Sequence, residues 1–232
     1  MTSRGYLMNI DETKIVEKLG GELFLIDDEG CLTLTDGRLR LKGDFTSLMP
    51  RLKTSNLQRE FLVKASKIKG VEHPVLIDAT AGMGEDSMIL AATGVEVYLF
   101  EYDHAIAALL KDALRRAADI PELKDAVARM HFAEGNSIEL MAGLGIEPDV
   151  VLLDPMFPAR QKSALVKRKF QLLQQLEKPC TDERDLLDAA LNMKPRRVVI
   201  KRPLKGPYLA DIKPSYSING KAIRYDCIVI PR

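Results

Sequence analysis

From about residue 75 onward, short apolar runs alternate with stretches in which apolar residues recur every three or four positions. Short Val-, Leu- and Ile-rich runs that end at acidic or glycine-rich turns are typical of buried parallel strands. The longer periodic stretches are typical of helices that pack one face on a sheet. This alternation predicts an α/β protein.

The apolar runs predict five parallel strands at Val75 to Asp78, Val95 to Phe100, Met130 to Ala133, Val150 to Leu153 and Arg197 to Lys201. Helical periodicity covers Ser87 to Ala92, Ile106 to Ala117, Leu165 to Leu176 and Leu186 to Met193. Two final strands, Ser215 to Ile218 and Ile223 to Ile230, flank the hairpin signal Asn219-Gly220. We therefore expect a Rossmann-like, seven-stranded, mostly parallel sheet that is closed by a C-terminal antiparallel hairpin.

The N-terminal part has a different pattern. We predict a short helix from Thr13 to Leu19, and then a β-meander with strands at Leu23 to Ile26, Leu32 to Thr35 and Leu39 to Lys42. A capping box at Ser55 to Gln58 is expected to open one helix whose apolar face contains Leu57, Phe61, Ala65 and Ile68. The predicted division is a β-rich extension, residues 1–54, and a main domain, residues 55–232.

Bulk composition is that of an ordinary globular protein, with 46% hydrophobic and 29% charged residues among 232. The three cysteines are far apart in sequence and form no Cys-x-x-Cys motif, which indicates a reducing compartment. The three histidines lack metal-ligand spacing, so no metal site is expected. Neither a signal peptide nor an apolar run of membrane-spanning length is apparent. We expect a cytoplasmic protein that is monomeric and has no membrane partner.

The run Asp154-Pro155-Met156-Phe157-Pro158 follows a predicted strand, at the sheet edge where α/β proteins bind ligands. The prolines stiffen the turn and remove backbone donors. The Asp154 carboxylate, the Pro155 carbonyl and the Phe157 ring can together hold a planar exocyclic amine, such as that of a nucleobase. Enzymes that methylate such nitrogens use an Asp/Asn-Pro-x-aromatic run in this way. The alternative is a strand followed by an ordinary proline turn.

A glycine-bearing turn follows the first parallel strand, with Gly82 and Gly84 at positions where a ligand can approach the backbone. A dinucleotide fingerprint would have a third glycine where Ser87 stands. The acidic Asp78 before the turn suits the ammonium of S-adenosylmethionine, whereas a pyrophosphate would be repelled. Glu101 ends the next strand, where a ribose hydroxyl pair is bound in such folds. An oxidoreductase that uses NAD is therefore the less favoured alternative.

The formal net charge of +1 conceals a basic zone. Between Ala159 and Lys205 there are 13 Lys or Arg residues and 5 Asp or Glu residues. A basic zone beside a catalytic pocket suits a phosphate-backbone partner, although a solvated helix face is the alternative. The candidate RNA contacts are Arg160, Lys162, Lys167, Lys201 and Arg202.

Three segments together resemble the RsmJ family, bacterial small-subunit (16S) ribosomal RNA guanine-N2 methyltransferases that use S-adenosylmethionine. They are Asp78 to Gly84, Asp154 to Pro158 followed by Lys162 to Lys167, and Lys201 to Pro203, and the resemblance covers about residues 68 to 232. It implies a class I methyltransferase fold. By position, it implies cofactor contacts at Glu85, Asp86, Glu101, Tyr102, Gly135, Asn136 and Asp154. The chain departs from the family pattern at Thr54 to Arg59 and at Glu85, where the family usually has a basic residue.

The resemblance predicts methyl transfer from S-adenosylmethionine to the N2 amine of a guanine in small-subunit ribosomal RNA, either as RNA or within the ribosomal subunit. Asp154, Pro155 and Phe157 are the expected catalytic residues. The residues alone do not distinguish guanine N2 from adenine N6, whereas the basic zone argues against a third alternative, a protein glutamine. A non-catalytic RNA-binding module is a further alternative, which the intact acid, glycine and aromatic positions disfavour.

Overall fold

The computed structural model describes residues 14–72, 74–155, 168–176 and 182–231. Within these ranges the chain forms a four-stranded antiparallel sheet near the N-terminus and a seven-stranded, mostly parallel sheet. The expected fold class is therefore confirmed. The expected division at residue 54 stays a prediction.

The small sheet contains β1 (Ile15–Gly20), β2 (Leu23–Asp28), β3 (Cys31–Thr35) and β4 (Arg40–Leu41) in that order. The helix predicted from Thr13 is wrong, because Ile15–Gly20 is a strand that pairs antiparallel with β2. Its residues alternate between half-buried and exposed positions, as a strand at the edge of a sheet does. The local sequence does not show that this segment is a strand, because the strand conformation depends on the pairing with β2.

Three short α-helices connect the two sheets, namely α1 (Met49–Leu52), α2 (Thr54–Leu57) and α3 (Phe61–Ser66). The single helix predicted from the capping box is wrong, since α2 ends at Leu57 and the chain is extended at Glu60. Glu60 instead forms an ion pair with Arg51, whose Nε lies 2.8 Å from the Glu60 carboxylate. This tertiary contact holds the break between α2 and α3.

The large sheet contains β5 (Val75–Asp78), β6 (Glu96–Glu101), β7 (Met130–Glu134), β8 (Val150–Leu153), β9 (Arg197–Pro203), β10 (Tyr216–Asn219) and β11 (Ile223–Val229). The strand order is β10-β11-β9-β8-β5-β6-β7. β5 to β9 run parallel to one another, whereas β11 runs antiparallel to both β9 and β10. The predicted C-terminal hairpin is confirmed.

The remaining helices are α4 (Glu85–Ala91), α5 (His104–Ala117), α6 (Pro121–Val127), α7 (Ser137–Leu140), α8 (Arg168–Leu176) and α9 (Glu183–Asn192). Alternate strand residues supply two separate cores, one on each face of the large sheet. Leu76 packs in the core that includes α4 and α5 residues, and Ile77 packs in the core that includes α9 residues. The sheet is therefore the middle layer of three, as a parallel sheet requires.

Helix α5 lies between the two sheets. Leu110 and Ala113 pack in the core of the large sheet, whereas Ile106 and Leu109 pack against Leu34 and other small-sheet residues. Helix α8 contributes to the same small-sheet core. The N-terminal sheet is therefore fixed to the main body through apolar burial, the usual source of such stability.

The strand order reverses at β5, which pairs with β6 on one side and with β8 on the other. The chain proceeds outward from β5 through β6 to β7, and then returns to β8 and β9. Ligands of open α/β sheets bind in the crevice at such a switch point, beyond the carboxyl ends of the strands. The ends of β5 and β8 are therefore where the functional site is expected.

Candidate active site

The turns after β5 and β8 are joined directly across the crevice. The backbone N–H of Asp154, the residue that follows β8, donates to the Thr80 hydroxyl at 2.6 Å. The Ala79 N–H donates to the carbonyl of Leu152 at 3.0 Å. The glycine turn and the Asp154-Pro155 turn are thus held side by side by hydrogen bonds.

Asp78, the last residue of β5, is buried and holds the start of helix α4. Its Oδ2 accepts from the Ser87 hydroxyl at 2.6 Å, and its Oδ1 accepts from the Thr80 N–H at 3.2 Å. Burial raises the pKa of the Asp78 carboxyl to about 7, although the hydrogen bond from Ser87 opposes this rise. A direct contact between Asp78 and the cofactor's ammonium stays a prediction.

The two glycines of the turn have different surroundings. Gly82 has φ +53°, and a Cβ placed on it would meet no atom within 4 Å, so its Cα faces open space. Gly84 has φ +74°, and a Cβ there would lie 2.6 Å from Leu110 Cδ1. Gly82 is therefore the position at which a ligand can approach the backbone, whereas Gly84 permits close packing of the turn on α5.

Glu101, the last residue of β6, supports the same turn. Its Oε2 accepts from the Gly82 N–H at 2.8 Å, and its Oε1 accepts from the Asp103 N–H at 2.8 Å. Burial raises the pKa of Glu101 above its ordinary value. The adjacent Tyr102 side chain is 77% exposed, which leaves its ring free to cover a ligand at this edge.

The turn after β7 contains Gly135 and Asn136. The Gly135 N–H donates to the Glu101 carbonyl at 2.8 Å, so this turn lies beside the end of β6. Asn136 caps α7, since its Oδ1 accepts from the Ile138 N–H at 3.1 Å. The two residues are brought to the edge that also carries Glu101, as their predicted cofactor role requires.

Helix α4 begins with Glu85, which is exposed, and Asp86, which is half-buried. Asp86 Oδ2 lies 2.7 Å from the ammonium of Lys201, and Asp154 Oδ2 lies 2.8 Å from the same nitrogen. Burial alone would lower the pKa of Lys201, but the carboxylates of Asp154 and Asp86 raise it above its ordinary value. A protonated lysine therefore connects the helix of the cofactor turn to the turn after β8.

Arg202, the other predicted RNA contact of this strand, is buried, with 1% of its side chain exposed. Its Nη1 lies 3.2 Å from Oε1 of Glu183 in α9, and its Nε donates to the Pro207 carbonyl at 3.1 Å. A side chain in this position holds α9 and the segment after β9 to the sheet. We therefore leave Arg202 out of the RNA contacts proposed below.

Several predicted residues lie outside the described residues. They are the catalytic candidate Phe157 and the RNA-contact candidates Arg160, Lys162 and Lys167. Their proposed roles stay predictions.

Sequence reasoning missed three side chains that the structure brings to this site. Thr80 and Ser87 bind Asp154 and Asp78, respectively, and their place in and just after the glycine turn was an available signal. Tyr225 of β11 is the register partner of Lys201 and is buried. Burial raises the pKa of the Tyr225 hydroxyl above its ordinary value, and no local motif marks this residue.

The composition of the crevice favours a cationic ligand. Four carboxylates, those of Asp78, Asp86, Glu101 and Asp154, lie at the strand ends and the start of α4, and the Lys201 ammonium offsets part of their charge. Such a set would repel a pyrophosphate, whereas it suits the ammonium and sulfonium charges of S-adenosylmethionine. The open space at Gly82 gives the ligand access to the backbone. The residues therefore fit that cofactor and disfavour NAD.

Among the residues that the structure describes, no group of three or more His, Cys, Asp or Glu side chains is arranged to hold a metal ion. In the same ranges, no helix combines the length and the apolar composition that crossing a membrane requires.

Comparison with known proteins agrees with the class of protein that this fold and site define, a methyltransferase that uses S-adenosylmethionine. Residues 29–230 match the family model described as SAM-dependent methyltransferase. A crystal structure of a SAM-dependent methyltransferase from Neisseria gonorrhoeae superposes with a TM-score of 0.75 at 33% identity, covering 93% of this chain and 86% of that chain.

Two curated relatives have the same name, ribosomal RNA small subunit methyltransferase J. The protein from Thioalkalivibrio sulfidiphilus is 42% identical over 221 residues, which are 92% of this chain and 87% of that protein. The protein from Pseudomonas savastanoi is 45% identical over 168 residues, which are 72% of this chain and 62% of that protein. The chain belongs to the ribosomal RNA small subunit methyltransferase J family, and the predicted resemblance and cofactor are confirmed.

Proposed function

We propose that this enzyme transfers a methyl group from S-adenosylmethionine to the exocyclic N2 of a guanine in small-subunit ribosomal RNA, in the cytoplasm. The observation that carries the proposal is the hydrogen bond from the Asp154 N–H to Thr80, which places the Asp154-Pro155 turn beside the glycine turn. Family membership supports RNA as the substrate, because the relatives are named for a small-subunit ribosomal RNA.

The amine of guanine is a poor nucleophile, since its lone pair is conjugated with the ring. When bound, S-adenosylmethionine supplies a methyl carbon on a positively charged sulfur. The Asp154 carboxylate and the Pro155 carbonyl would accept hydrogen bonds from the two N–H groups of the amine. These hydrogen bonds would turn the nitrogen lone pair out of conjugation. Asp154 Oδ1 has no hydrogen-bond partner among the described residues, whereas Oδ2 is held by Lys201. Oδ1 is therefore the oxygen that we assign to the amine.

The transfer forms one nitrogen–carbon bond and breaks the carbon–sulfur bond, whose electron pair stays on sulfur. The methylated nitrogen then loses one proton, for which the Asp154 carboxylate is the adjacent acceptor. Positioning the amine would supply most of the acceleration, because a fixed near-attack geometry removes much of the entropic barrier. In structured RNA the target base would first have to leave its stack. We assign Phe157 to stacking on that base.

An exposed basic and aromatic surface lies beyond the end of β9, close to Lys201. The Leu204 N–H donates to the Ala222 carbonyl at 2.9 Å, which brings the exposed residues Lys205 and Lys221 near each other. Phosphate contacts position RNA on a protein, so these two lysines are candidates for that role. Lys205 belongs to the basic zone that the sequence predicted, and Lys221 extends it.

Phe61 lies beside the same surface. Its ring is 41% exposed, and a Cβ placed on Gly220 would lie 3.5 Å from it, so the ring packs against the β10–β11 hairpin. The Lys64 ammonium lies 5.2 Å from the centre of the ring. An exposed aromatic side chain next to lysines suits an unpaired base and its phosphate.

Incubating the enzyme with labelled cofactor and small ribosomal subunits that lack its modification, followed by digestion to nucleosides, tests the proposal. We expect label in N2-methylguanosine. Label only in N6-methyladenosine would overturn the guanine assignment but retain the fold and the cofactor. A parallel assay with naked ribosomal RNA determines whether the assembled subunit is needed. The monomeric state that we expect can be checked by light scattering.

A further inference from the structure

We propose that Lys201 is a positioning residue that holds the Asp154 carboxylate in place against Asp86, and not an RNA phosphate contact. The proposal rests on the function proposed for Asp154. It assigns to Lys201 a task inside the site that its position in a basic stretch of sequence did not suggest.

The geometry for this role is specific. The Lys201 ammonium lies 2.7 Å from Asp86 Oδ2 and 2.8 Å from Asp154 Oδ2. Asp86 is in the first turn of α4, directly after the glycine turn, and Asp154 directly follows β8. The ammonium therefore joins the element that carries the cofactor turn to the element that is assigned the target base.

Two further observations separate Lys201 from the surface lysines. Its side chain is only 24% exposed, and Tyr225, its partner across β9 and β11, is buried beside it. Its charge is also offset by two carboxylates. A phosphate would have to displace one of these carboxylates from a partly dehydrated site, whereas Lys205 and Lys221 are exposed at the surface.

The ammonium also determines the state in which Asp154 is available. Burial raises the pKa of the Asp154 carboxyl, and the charge of Lys201 opposes that rise. The other groups that face Asp154 are Arg202 on β9, Asp86 on α4, Asp78 on β5 and Tyr225 on β11. Without the Lys201 charge, Asp154 would remain protonated to higher pH. A protonated carboxyl would lose its capacity as an anionic acceptor for the amine.

Three substitutions test this role. Lys201→Met removes the charge, Lys201→Arg retains it, and Asp86→Asn removes the negative neighbour while leaving the Lys201–Asp154 pair. In kcat/KM against pH, we expect the acidic limb to move to higher pH for Lys201→Met and to lower pH for Asp86→Asn. Lys201→Arg should keep the wild-type limb. At neutral pH, Lys201→Met should lose about 10²-fold in kcat, the size typical of a lost charge-stabilising group.

A second measurement does not depend on turnover. NMR of the ¹³C-labelled Asp carboxylates, with the Asp154 signal assigned from Asp154→Asn, reports the Asp154 titration in the protein without RNA. The signal should titrate at higher pH in Lys201→Met and at lower pH in Asp86→Asn. The opposite direction of the two shifts is specific to an electrostatic role and would not follow from a general loss of structure.

Lys205→Met is the matched control, because it removes an exposed lysine from the same segment. It should reduce the salt dependence of RNA binding and leave the Asp154 titration unchanged. Lys201→Met should instead shift the Asp154 titration and leave the salt dependence of RNA binding unchanged. A Lys201→Met protein with an unchanged titration and a flatter salt dependence would overturn the proposal. The absence of N2-methylguanosine with the wild-type enzyme would instead overturn the proposed function. The NMR titration would still determine whether the Lys201 charge acts on Asp154.

Discussion

Asp154 has a partly exposed carboxylate and two fixed neighbours, the Lys201 ammonium on its side chain and the Thr80 hydroxyl on its backbone N–H. These contacts restrain both the turn and the carboxylate before any substrate binds. A preorganised acceptor of this kind reduces the rearrangement required during the reaction. Its contribution should therefore appear in turnover more than in stability.

Asp154→Ala should lower kcat by about 10²- to 10³-fold, the size typical of one positioned catalytic hydrogen bond. The free energy of unfolding should change little, since the Lys201 ammonium keeps Asp86 as its partner. Single-turnover kinetics and urea unfolding measure the two quantities. Asp188→Ala, in an exposed pair with Arg184, is the control and should leave turnover unchanged. Near wild-type turnover by folded Asp154→Ala would exclude the assigned role.

Gly82→Leu should block binding of S-adenosylmethionine and of its demethylated product, because the Cα of Gly82 faces the open crevice. The positive φ should add a backbone cost of about 1–2 kcal/mol. Calorimetry should detect no cofactor binding to this variant and no tight NAD binding to the wild type. Gly84→Ala, where a Cβ would lie 2.6 Å from Leu110, should mainly reduce stability. Tight NAD binding without S-adenosylmethionine binding would contradict the cofactor assignment.

At the scale of elements, the site is built from contacts between the ends of strands and the starts of helices. The Asp78 side chain joins β5 to α4 through Ser87, and Arg202 joins β9 to α9 through Glu183. Both are buried, so each has a desolvation cost that its partners must offset. The stability of the β5–α4 junction should therefore depend on pH, and the stability of the β9–α9 junction should depend on the ion pair between Arg202 and Glu183.

Asp78 should make stability depend on pH between about 4 and 7. Because its folded-state pKa is about 7, above the ordinary 3.8, its contribution to stability is present below pH 4 and is lost as the pH rises through 7. Asp78→Asn should therefore become more stable relative to wild type from pH 4 to pH 8, by at most about 4 kcal/mol. Urea unfolding at several pH values measures this change.

Asp112→Asn is the control of opposite sign. Burial raises the pKa of Asp112, but hydrogen bonds from Arg115 and Arg116 outweigh this effect and lower it overall. Its contribution to stability is therefore present at neutral pH and is lost as the pH falls. A stability difference between Asp78→Asn and wild type that is constant from pH 4 to pH 8 would show that burial does not perturb Asp78.

Arg202→Ala should reduce the free energy of unfolding by about 3 kcal/mol, since removing one partner of a buried pair leaves the other without compensation. Glu183 would lose Arg202 and, within the described ranges, keep the hydrogen bond from the Ala210 N–H at 3.0 Å. Arg184→Ala, which breaks an exposed pair on the same helix, should cost less than about 1 kcal/mol. Equal effects of the two substitutions in urea unfolding would contradict the assignment of Arg202 to a structural pair.

At the scale of the whole molecule, charge is divided by location. The crevice has a carboxylate set suited to a cationic cofactor, and exposed lysines lie beyond the end of β9. RNA binding releases counterions from phosphates, so its affinity falls as the salt concentration rises. The lysines that contact phosphate can therefore be identified by salt dependence, without a structure of the complex.

The double variant Lys205→Glu, Lys221→Glu should flatten the log–log dependence of RNA affinity on salt by somewhat under one unit for each lost contact. Cofactor affinity should be almost unchanged, because neither residue contacts the glycine turn. Fluorescence anisotropy with an RNA fragment measures the slope. Lys69→Glu, Lys124→Glu is the charge-matched control at other exposed positions. An unchanged slope in the first variant alongside a flatter slope in the control would place RNA on a different surface.

Much of this architecture could be predicted from local patterns. The large-sheet strands lie within a few residues of their predicted positions, because buried strands and amphipathic helices have distinct periods. The helix predicted in the segment that forms β1 was wrong, because an edge strand depends on pairing with its neighbour. The single helix predicted across α2 and α3 was also wrong, because the Arg51–Glu60 ion pair favours the break between them. The glycine turn and the Asp154 turn were each predicted at the end of a strand, and the Asp154–Thr80 hydrogen bond joins them.

The sequence by itself determined the α/β plan, the cofactor turn and the position of Asp154, since these depend on periodicity and on residues that are adjacent along the chain. Tertiary structure alone decided which groups the charged residues of β9 contact. Lys201 is 115 residues from Asp86, and only the reversal of strand order at β5 brings them together. The same holds for Gly84, where a side chain would clash with Leu110 on α5. A charge or a glycine has a defined role only when its neighbours are known, because Coulomb attraction and packing act over a few ångströms of space.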